Sequence, residues 1–190
     1  FRPADVLFDV PRQYATRSGS WAPQNYDRRV RGPLRVREAL ATSANLPAIE
    51  MLEAIGASTL HSRLIAVGFS LPEPTSHYGL GLALGDAEVT LEALTMGYAA
   101  LAREGMWRGA VTVTDAAATS PVSLVSPAAA AIIADVLADP VARAETFGRN
   151  SPLERPYRAS VKTGTSTGYR DNWTVGFTAR YAVGVWVGNF

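Results

Sequence analysis

Hydrophobic and polar positions alternate most regularly near the C-terminal end of the chain. In Trp173-Thr174-Val175-Gly176-Phe177-Thr178 the bulky residues Trp173, Val175 and Phe177 fall on one face. After Ala179-Arg180, the run Tyr181-Ala182-Val183-Gly184-Val185-Trp186-Val187-Gly188 alternates again. Period two over two consecutive runs predicts an antiparallel hairpin. Ala179-Arg180 lacks the turn chemistry of Asn-Gly, which points to a loop longer than two residues. The small residues of the second strand predict a helix packed closely on their face. With Lys162-Thr163-Gly164 leading it, the hairpin extends to a three-stranded antiparallel meander.

Upstream, the period becomes helical. Pro33 suits the first position of a helix over residues 34–42, with Val36 and Leu40 on one stripe. Pro47 starts another over 48–55, closed by Gly56, and Leu46, biased out of the helical region by the proline after it, breaks the two apart at 43–46. Ser58 is placed to cap a helix through Val67, with Leu60 and Leu64 inward and Gly68 at its end. Residues 78–85 read as a tight apolar turn facing a cleft, since their glycines match neither a phosphate loop nor a dinucleotide fingerprint. Thr90 caps a helix with the stripe Leu91, Leu94, Tyr98 and Leu101, and Gly105 follows it. A short strand is predicted over 107–114 and a loop over 116–120. Ser126-Pro127 opens a helix over 128–138, its stripe Ile132, Ile133, Val136 and Leu137, stopped by Asp139-Pro140. Residues 143–158 read as a polar connection. Residues 6–11 read as one strand, and 12–32 show neither period.

The chain has 190 residues, 47% hydrophobic and 18% charged, with a net charge of +1. That describes a globular protein with one core, and its interspersed arginines and acids argue against a nucleic-acid partner. No apolar run approaches the ~18 residues of a membrane-spanning helix. Cysteine is absent, which removes disulfides and thiolate chemistry, and the two histidines show no ligand-like spacing. No metal or other cofactor is expected.

Candidate chemistry gathers in two places. Lys162 is the only lysine, the other basic residues all being arginine. It adjoins Thr163, Gly164 and Thr165, so an ammonium, two hydroxyls and an unobstructed backbone lie side by side. On an exposed edge strand the main chain can pair with an extended peptide, and one N–H can form half of an oxyanion hole. Lys162 and Gly164 then point to one face, Thr163 and Thr165 to the other. The second place is Ser43-Ala44-Asn45 at the helix break. There a hydroxyl can relay a proton and a carboxamide can hold a substrate carbonyl or fix a lysine. Helix capping by Ser43 and Asn45 is the competing structural reading.

Together these segments carry a resemblance. Lys162-Thr163-Gly164-Thr165-Ser166, then Tyr169-Arg170-Asp171-Asn172-Trp173 and a glycine-punctuated hairpin, resemble the end of a penicillin-binding transpeptidase domain. Arg37-Glu38-Ala39-Leu40-Ala41-Thr42-Ser43-Ala44-Asn45-Leu46-Pro47-Ala48 resembles the second motif of the class A, bifunctional enzymes, the type-1C branch most of all. The resemblance implies an α/β (α+β) fold with helices packed on an antiparallel sheet, and residues 1–190 as a single partial domain. It also implies a serine acyl-enzyme that cross-links peptidoglycan stem peptides and is trapped by β-lactams. Ser43, Asn45 and Lys162 would be catalytic, and Thr163, Gly164 and Thr165 would bind substrate.

The nucleophile motif Ser-x-x-Lys does not occur, because Ala159 stands three residues before the sole lysine. The expectation is therefore a C-terminal piece. It would lack the nucleophile helix and first strands of its domain and the glycosyltransferase domain of the parent, which would be anchored at the outer face of the bacterial inner membrane. A strand over 181–187 would then be an apolar edge. Two alternatives remain: a D,D-carboxypeptidase or β-lactamase of the same fold, and a non-catalytic cell-wall-binding or assembly module.

Overall fold

The computed structural model describes residues 1–16, 19–113, 119–166, 168 and 170–188. The chain enters with β1 (Val6–Asp9), the hairpin of β2 (Tyr14–Thr16) and β3 (Gly19–Trp21), and β4 (Gly32–Arg35), which pairs antiparallel with β1. Two sequence expectations change here. The aperiodic stretch 12–32 contains a small hairpin, and residues 32–35 form a strand that takes in Pro33, Leu34 and Arg35, the expected start of a helix. Leu34 pairs with Leu7 in the register, and both are buried. Pro33 sits opposite Phe8, whose N–H turns away from the ladder to the Glu50 carboxylate at 3.0 Å. A proline at such a position forfeits no ladder bond.

Three helices follow: α1 (Val36–Thr42), α2 (Asn45–Ile55) and α3 (Ala57–Ala66). The Glu38 carboxylate accepts the Arg35 N–H at the start of α1. The break between α1 and α2 falls at Ser43 and Ala44, inside the expected 43–46, and α2 starts at Asn45 rather than at 48. Pro47 lies in the first turn of α2, where its missing N–H is one that no helical carbonyl would have met. Gly56, not Ser58, bounds α3. A short helix α4 (Thr75–Tyr78) and a 3-10 turn over Gly79–Leu84 complete this lobe. Tyr78 and Leu82 join Leu52, Val67, Phe69 and Leu71 in the core, so the glycine-rich turn faces the core rather than a cleft.

Helix α5 (Leu91–Ala102) begins as predicted, with the Thr90 hydroxyl accepting from Ala93 N–H. Its deepest residues are Ala99 and Ala100, while Leu91 lies near the rim. β5 (Met106–Trp107) pairs with β6 (Val122–Ser123), and the strand expected over 107–114 ends after two residues. Thr114 and residues 116–118 of the expected loop lie outside the described residues. Ser126 caps α6 (Pro127–Ala138) through Ala129 N–H. Its buried face carries Ala130, Val136 and Leu137, with Ile132 turned outward at 43% exposure. Asp139-Pro140 stops α6 and at once starts α7 (Pro140–Phe147), with Asp139 Oδ1 accepting from the N–H groups of Val141 and Ala142. The cap-plus-proline start of α6 at Ser126-Pro127 thus recurs at Asp139-Pro140.

The chain ends in β7 (Ser160–Thr165), β8 (Asp171–Phe177) and β9 (Ala182–Gly188), an antiparallel sheet in that order. The register pairs Lys162 with Val175, Gly164 with Trp173 and Val175 with Gly184. Val175 and Phe177 are buried on one face, as the alternation predicted, and Tyr98 of α5 packs on Phe177. The β8–β9 loop has four residues, closed by Thr178 N–H to the Tyr181 carbonyl at 2.8 Å. Tyr181, Val183 and Val187 stand 59–71% exposed on the opposite face. Among the described residues β9 pairs with β8 alone.

The small residues of β9 do bring a helix close. A Cβ on Gly184 would lie 2.0 Å from Thr95 Oγ1 and 3.0 Å from Leu91 Cδ1. Gly184→Ala should therefore destabilise the fold by about 1–3 kcal/mol, the usual cost of overpacking. Thr95→Ala in the same chain should recover most of that loss. Urea unfolding of the two variants is the measurement, and an unchanged midpoint for Gly184→Ala would contradict the close approach.

Candidate active site

Ser43 ends α1 in the left-handed conformation, φ 61° and ψ 39°. Its N–H donates to the Leu40 carbonyl and the N–H of Ala44 to the Ala39 carbonyl at 2.9 Å. This is the bonding of a Schellman cap, in which glycine is the usual left-handed residue. A serine there costs of order 1 kcal/mol in backbone conformation. Its side chain turns off the helix and meets β7, and Lys162 Nζ donates to Ser43 Oγ at 2.5 Å across 119 residues of sequence. The second bond from Nζ goes to the carbonyl of Thr163 at 2.8 Å.

Burial draws the Lys162 amine from a lysine's usual 10.5 down to about 8. Among the described residues no carboxylate forms an ion pair with it. An ammonium has three donors, so one remains for the cleft after Ser43 and Thr163 take theirs. An arginine here could not titrate in this way. Ser43 does cap α1, through its backbone, but its side chain does not cap α2: the residue before α2 is Ala44, and no side chain caps α2 from that position.

Asn45 takes another direction. Its Nδ2 donates to the Gln24 carbonyl at 2.8 Å, and among the described residues it makes no hydrogen bond to Lys162. Thus the structure brings Ser43 and Lys162 into contact and ties Asn45 to the loop before β4. That loop shows no helical or strand period in the sequence. Its signal was modest: a carboxamide, Asn25, in a segment with no periodic reason to be buried.

Thr163, Gly164 and Thr165 run along the open edge of β7, which pairs with β8 alone among the described residues. The Lys162 bond shows that the Thr163 carbonyl points off the sheet. Ser166 N–H, donating to the Asp171 carbonyl at 3.0 Å, closes the ladder at the strand end. By alternation the backbone groups of Thr165 also face the open edge. Gly164 and Thr165 are exposed and Thr163 is half-buried, with both threonine side chains on the face opposite Lys162.

Asp171 braces the turn beyond. It accepts from Ser166 Oγ at 2.7 Å and Trp186 Nε1 at 2.9 Å, and those two bonds hold its carboxyl below the ordinary range. Tyr169 of the same segment lies outside the described residues.

The strained backbone yields a test. Ser43→Gly and Ser43→Ala both delete the hydroxyl, but only glycine occupies this conformation without penalty. The glycine variant should be the more stable by about 1 kcal/mol in chemical denaturation. Equal stability would mean that Ser43 is not held left-handed.

Comparison with known proteins gives this geometry a family. The sequence pattern described as "Penicillin binding protein transpeptidase domain" matches residues 1–189. The chain is 39% identical over 187 residues to penicillin-binding protein 1C of Escherichia coli (strain K12), covering 98% of this chain and 23% of that protein. It is 31% identical over 189 residues to penicillin-binding protein 4 of Bacillus subtilis (strain 168), covering 90% of this chain and 29% of that one. Among solved structures, penicillin-binding protein 1A from Haemophilus influenzae superposes with a TM-score of 0.76 at 20% identity, covering 98% of this chain and 35% of its own. Penicillin-binding protein A from M. tuberculosis, in its imipenem acyl-enzyme complex, superposes at 0.74 with 21% identity, covering 100% and 50%. The chain thus spans about a quarter of the length of the curated relatives. With a matched pattern that runs almost end to end, and an α/β fold of helices on an antiparallel sheet, the chain belongs to the penicillin-binding protein transpeptidase family.

Proposed function

We propose that these residues form the proton-relay and substrate-carboxylate side of a peptidoglycan D,D-transpeptidase site. The observation that carries this reading is the bond from Lys162 Nζ to Ser43 Oγ, which places a titratable amine against a hydroxyl beside the open edge of β7. The acylated serine lies outside these residues, since no serine here precedes a lysine by three. That serine attacks the penultimate D-alanine carbonyl of a stem peptide, and the terminal D-alanine leaves as an amine. Ser43 hands its proton to the departing nitrogen and regains one from Lys162, and the proton that the attacking serine gives up is passed back to that lysine. An amine of a second stem peptide then displaces the serine, forming the cross-link. β-Lactams enter the same acylation and stay.

The open edge of β7 supplies the rest. The substrate backbone lies along the strand, the Thr163 and Thr165 hydroxyls take its terminal carboxylate, and the Thr165 N–H faces the developing oxyanion. Gly164, without a side chain, lets the peptide approach. Asn45 holds a substrate carbonyl. Residues 1–190 act as one part of a single transpeptidase domain. Likeness to the 1C branch supports a parent with a glycosyltransferase domain, working at the outer face of the inner membrane. No helix among the described residues is long and apolar enough to cross a membrane.

In the full-length protein that carries this chain, Lys162→Ala should cut penicillin acylation by ~100-fold or more, the scale of losing a proton-transfer partner. The pH dependence has a definite sign. Below about 8 the amine is a cation and a donor, and as pH rises through about 8 it loses that proton. Acylation should fall across that step in the wild type, and Lys162→Arg should show no such step. Stopped-flow acylation between pH 6 and ~10 decides the matter, and an unaltered Lys162→Ala rate with intact fold rejects the assignment.

The chain of 190 residues by itself should form no covalent adduct with benzylpenicillin. Intact mass spectrometry is the check: a stoichiometric adduct on Ser43 would make that residue the nucleophile and overturn its relay role.

A further inference from the structure

Asn25 is 5% exposed, and its carboxamide is used at both ends. Oδ1 accepts the backbone N–H of Asn45 at 2.8 Å and that of Leu46 at 3.5 Å. Nδ2 donates to Asp9 Oδ1 at 2.7 Å and to the Arg29 carbonyl at 2.7 Å. The chemistry of the partners fixes the orientation of the amide. Two backbone N–H groups require an acceptor on one side, while a carboxylate and a carbonyl require a donor on the other. The N-terminus of α2, which lacks a cap from its own chain neighbours, is therefore capped by a residue twenty positions upstream.

The anchor behind Asn25 is equally closed. Asp9 is fully buried, its second oxygen accepting Arg31 N–H at 2.9 Å with the Arg31 guanidinium 3.9 Å away. Arg31 in turn bonds Asp27 and Glu145 of α7, both at 2.7 Å. Gln24, the residue before Asn25, offers the carbonyl that takes Asn45 Nδ2. Both the backbone and the side chain of Asn45 are thus held by one dipeptide, Gln24-Asn25.

We propose that Asn25 is a positioning residue, which sets the orientation of the Asn45 carboxamide toward the acylamino group of the substrate. The proposal rests on the transpeptidase reading given above. Asn25 touches no reacting atom, and it acts only through Asn45. Alanine at 25 leaves Asn45 N–H and the Asp9 carboxylate each short of a buried partner, whereas Ser43 and Lys162 keep their bond.

The test compares acylation of the full-length protein by benzylpenicillin, which carries an acylamino side chain, and by 6-aminopenicillanic acid, which does not. The ratio of the two rates should fall about tenfold in Asn25→Ala and similarly in Asn45→Ala, with little further fall in the double variant. A role confined to stability lowers both rates together and leaves the ratio unchanged, and that result overturns the proposal. So does a further fall of the ratio in the double variant.

Should Asn25→Ala not fold, Asn25→Asp serves as the second variant: it keeps an acceptor for Asn45 N–H but sets carboxylate oxygens against Asp9 and the Arg29 carbonyl. It too should lower the ratio of the two rates, and an unchanged ratio counts against the proposal. Amide hydrogen exchange separates this inference from the functional reading. If the wild type is not acylated at all, the transpeptidase reading falls. Exchange at Asn45 and Leu46 should still quicken at least tenfold in a folded Asn25 variant, relative to amides of α5, and equal exchange rejects the positioning role.

Discussion

The candidate site depends on one contact: the bond from Lys162 on β7 to Ser43 at the end of α1. It draws an amine out of water, which is costly, and compensates with two hydrogen bonds from a charged donor, each worth about 1.5–3 kcal/mol. The balance is fine enough that the amine titrates near neutrality, at about 8. Such a group can hold charge or release it as a reaction proceeds. The contact depends on placement to within a few tenths of an ångström. Much of the remaining structure serves to keep α1 over the sheet.

Three ties do this work. Ser160 at the start of β7 donates its hydroxyl to the Ala134 carbonyl of α6 at 2.7 Å, fixing the strand beneath that helix. Arg37 of α1 grips Asp135 and Asp139, at the end of α6 and the cap of α7, at 2.8–3.1 Å. Arg158 reaches the same Asp135, and these two arginines, Arg158 foremost, hold its carboxyl below the usual range. Surface ion pairs contribute little individually, but a guanidinium forked across two carboxylates defines an orientation. On the far side Arg31 ties the loop under α2 to α7. The two segments that flank Ser43 are therefore clamped independently, α1 through Arg37 and α2 through Asn25.

Ser43 itself illustrates how strain is carried at a site. A left-handed serine persists because its neighbours on both sides are fixed, and the conformation turns its hydroxyl away from its own helix toward the strand. Glycine would relieve the backbone and remove the only group that Lys162 finds there. The contact with Lys162 and local backbone stability thus conflict at this position, and the fold resolves it in favour of the hydroxyl.

The sequence by itself determined the elements whose cause is local. Alternation along β8 and β9 specified a hairpin and the buried face of Val175 and Phe177, because a one-residue slip would expose them all. Thr90 and Ser126 declared the starts of α5 and α6 through caps that need only three residues of context. The small residues of β9 announced a close helix, which α5 supplies at Gly184. Where only tertiary structure decided, the cause lay far away in the chain. Residues 32–35 became a strand because Leu7 offers a partner for Leu34, and helical propensity could not register that. Pro47 signalled a break over 43–46, but the break is confined to Ser43 and Ala44 because Asn25 supplies the cap that lets α2 begin two residues before the proline. Lys162 and Ser43 could be named from residue type and resemblance, yet their meeting across 119 residues belongs to the packing of β7 under α6 and α1. Asn25 had no motif to mark it. A polar side chain declares its role only when its partners are brought around it, and here those partners come from β1, the following loop and α2.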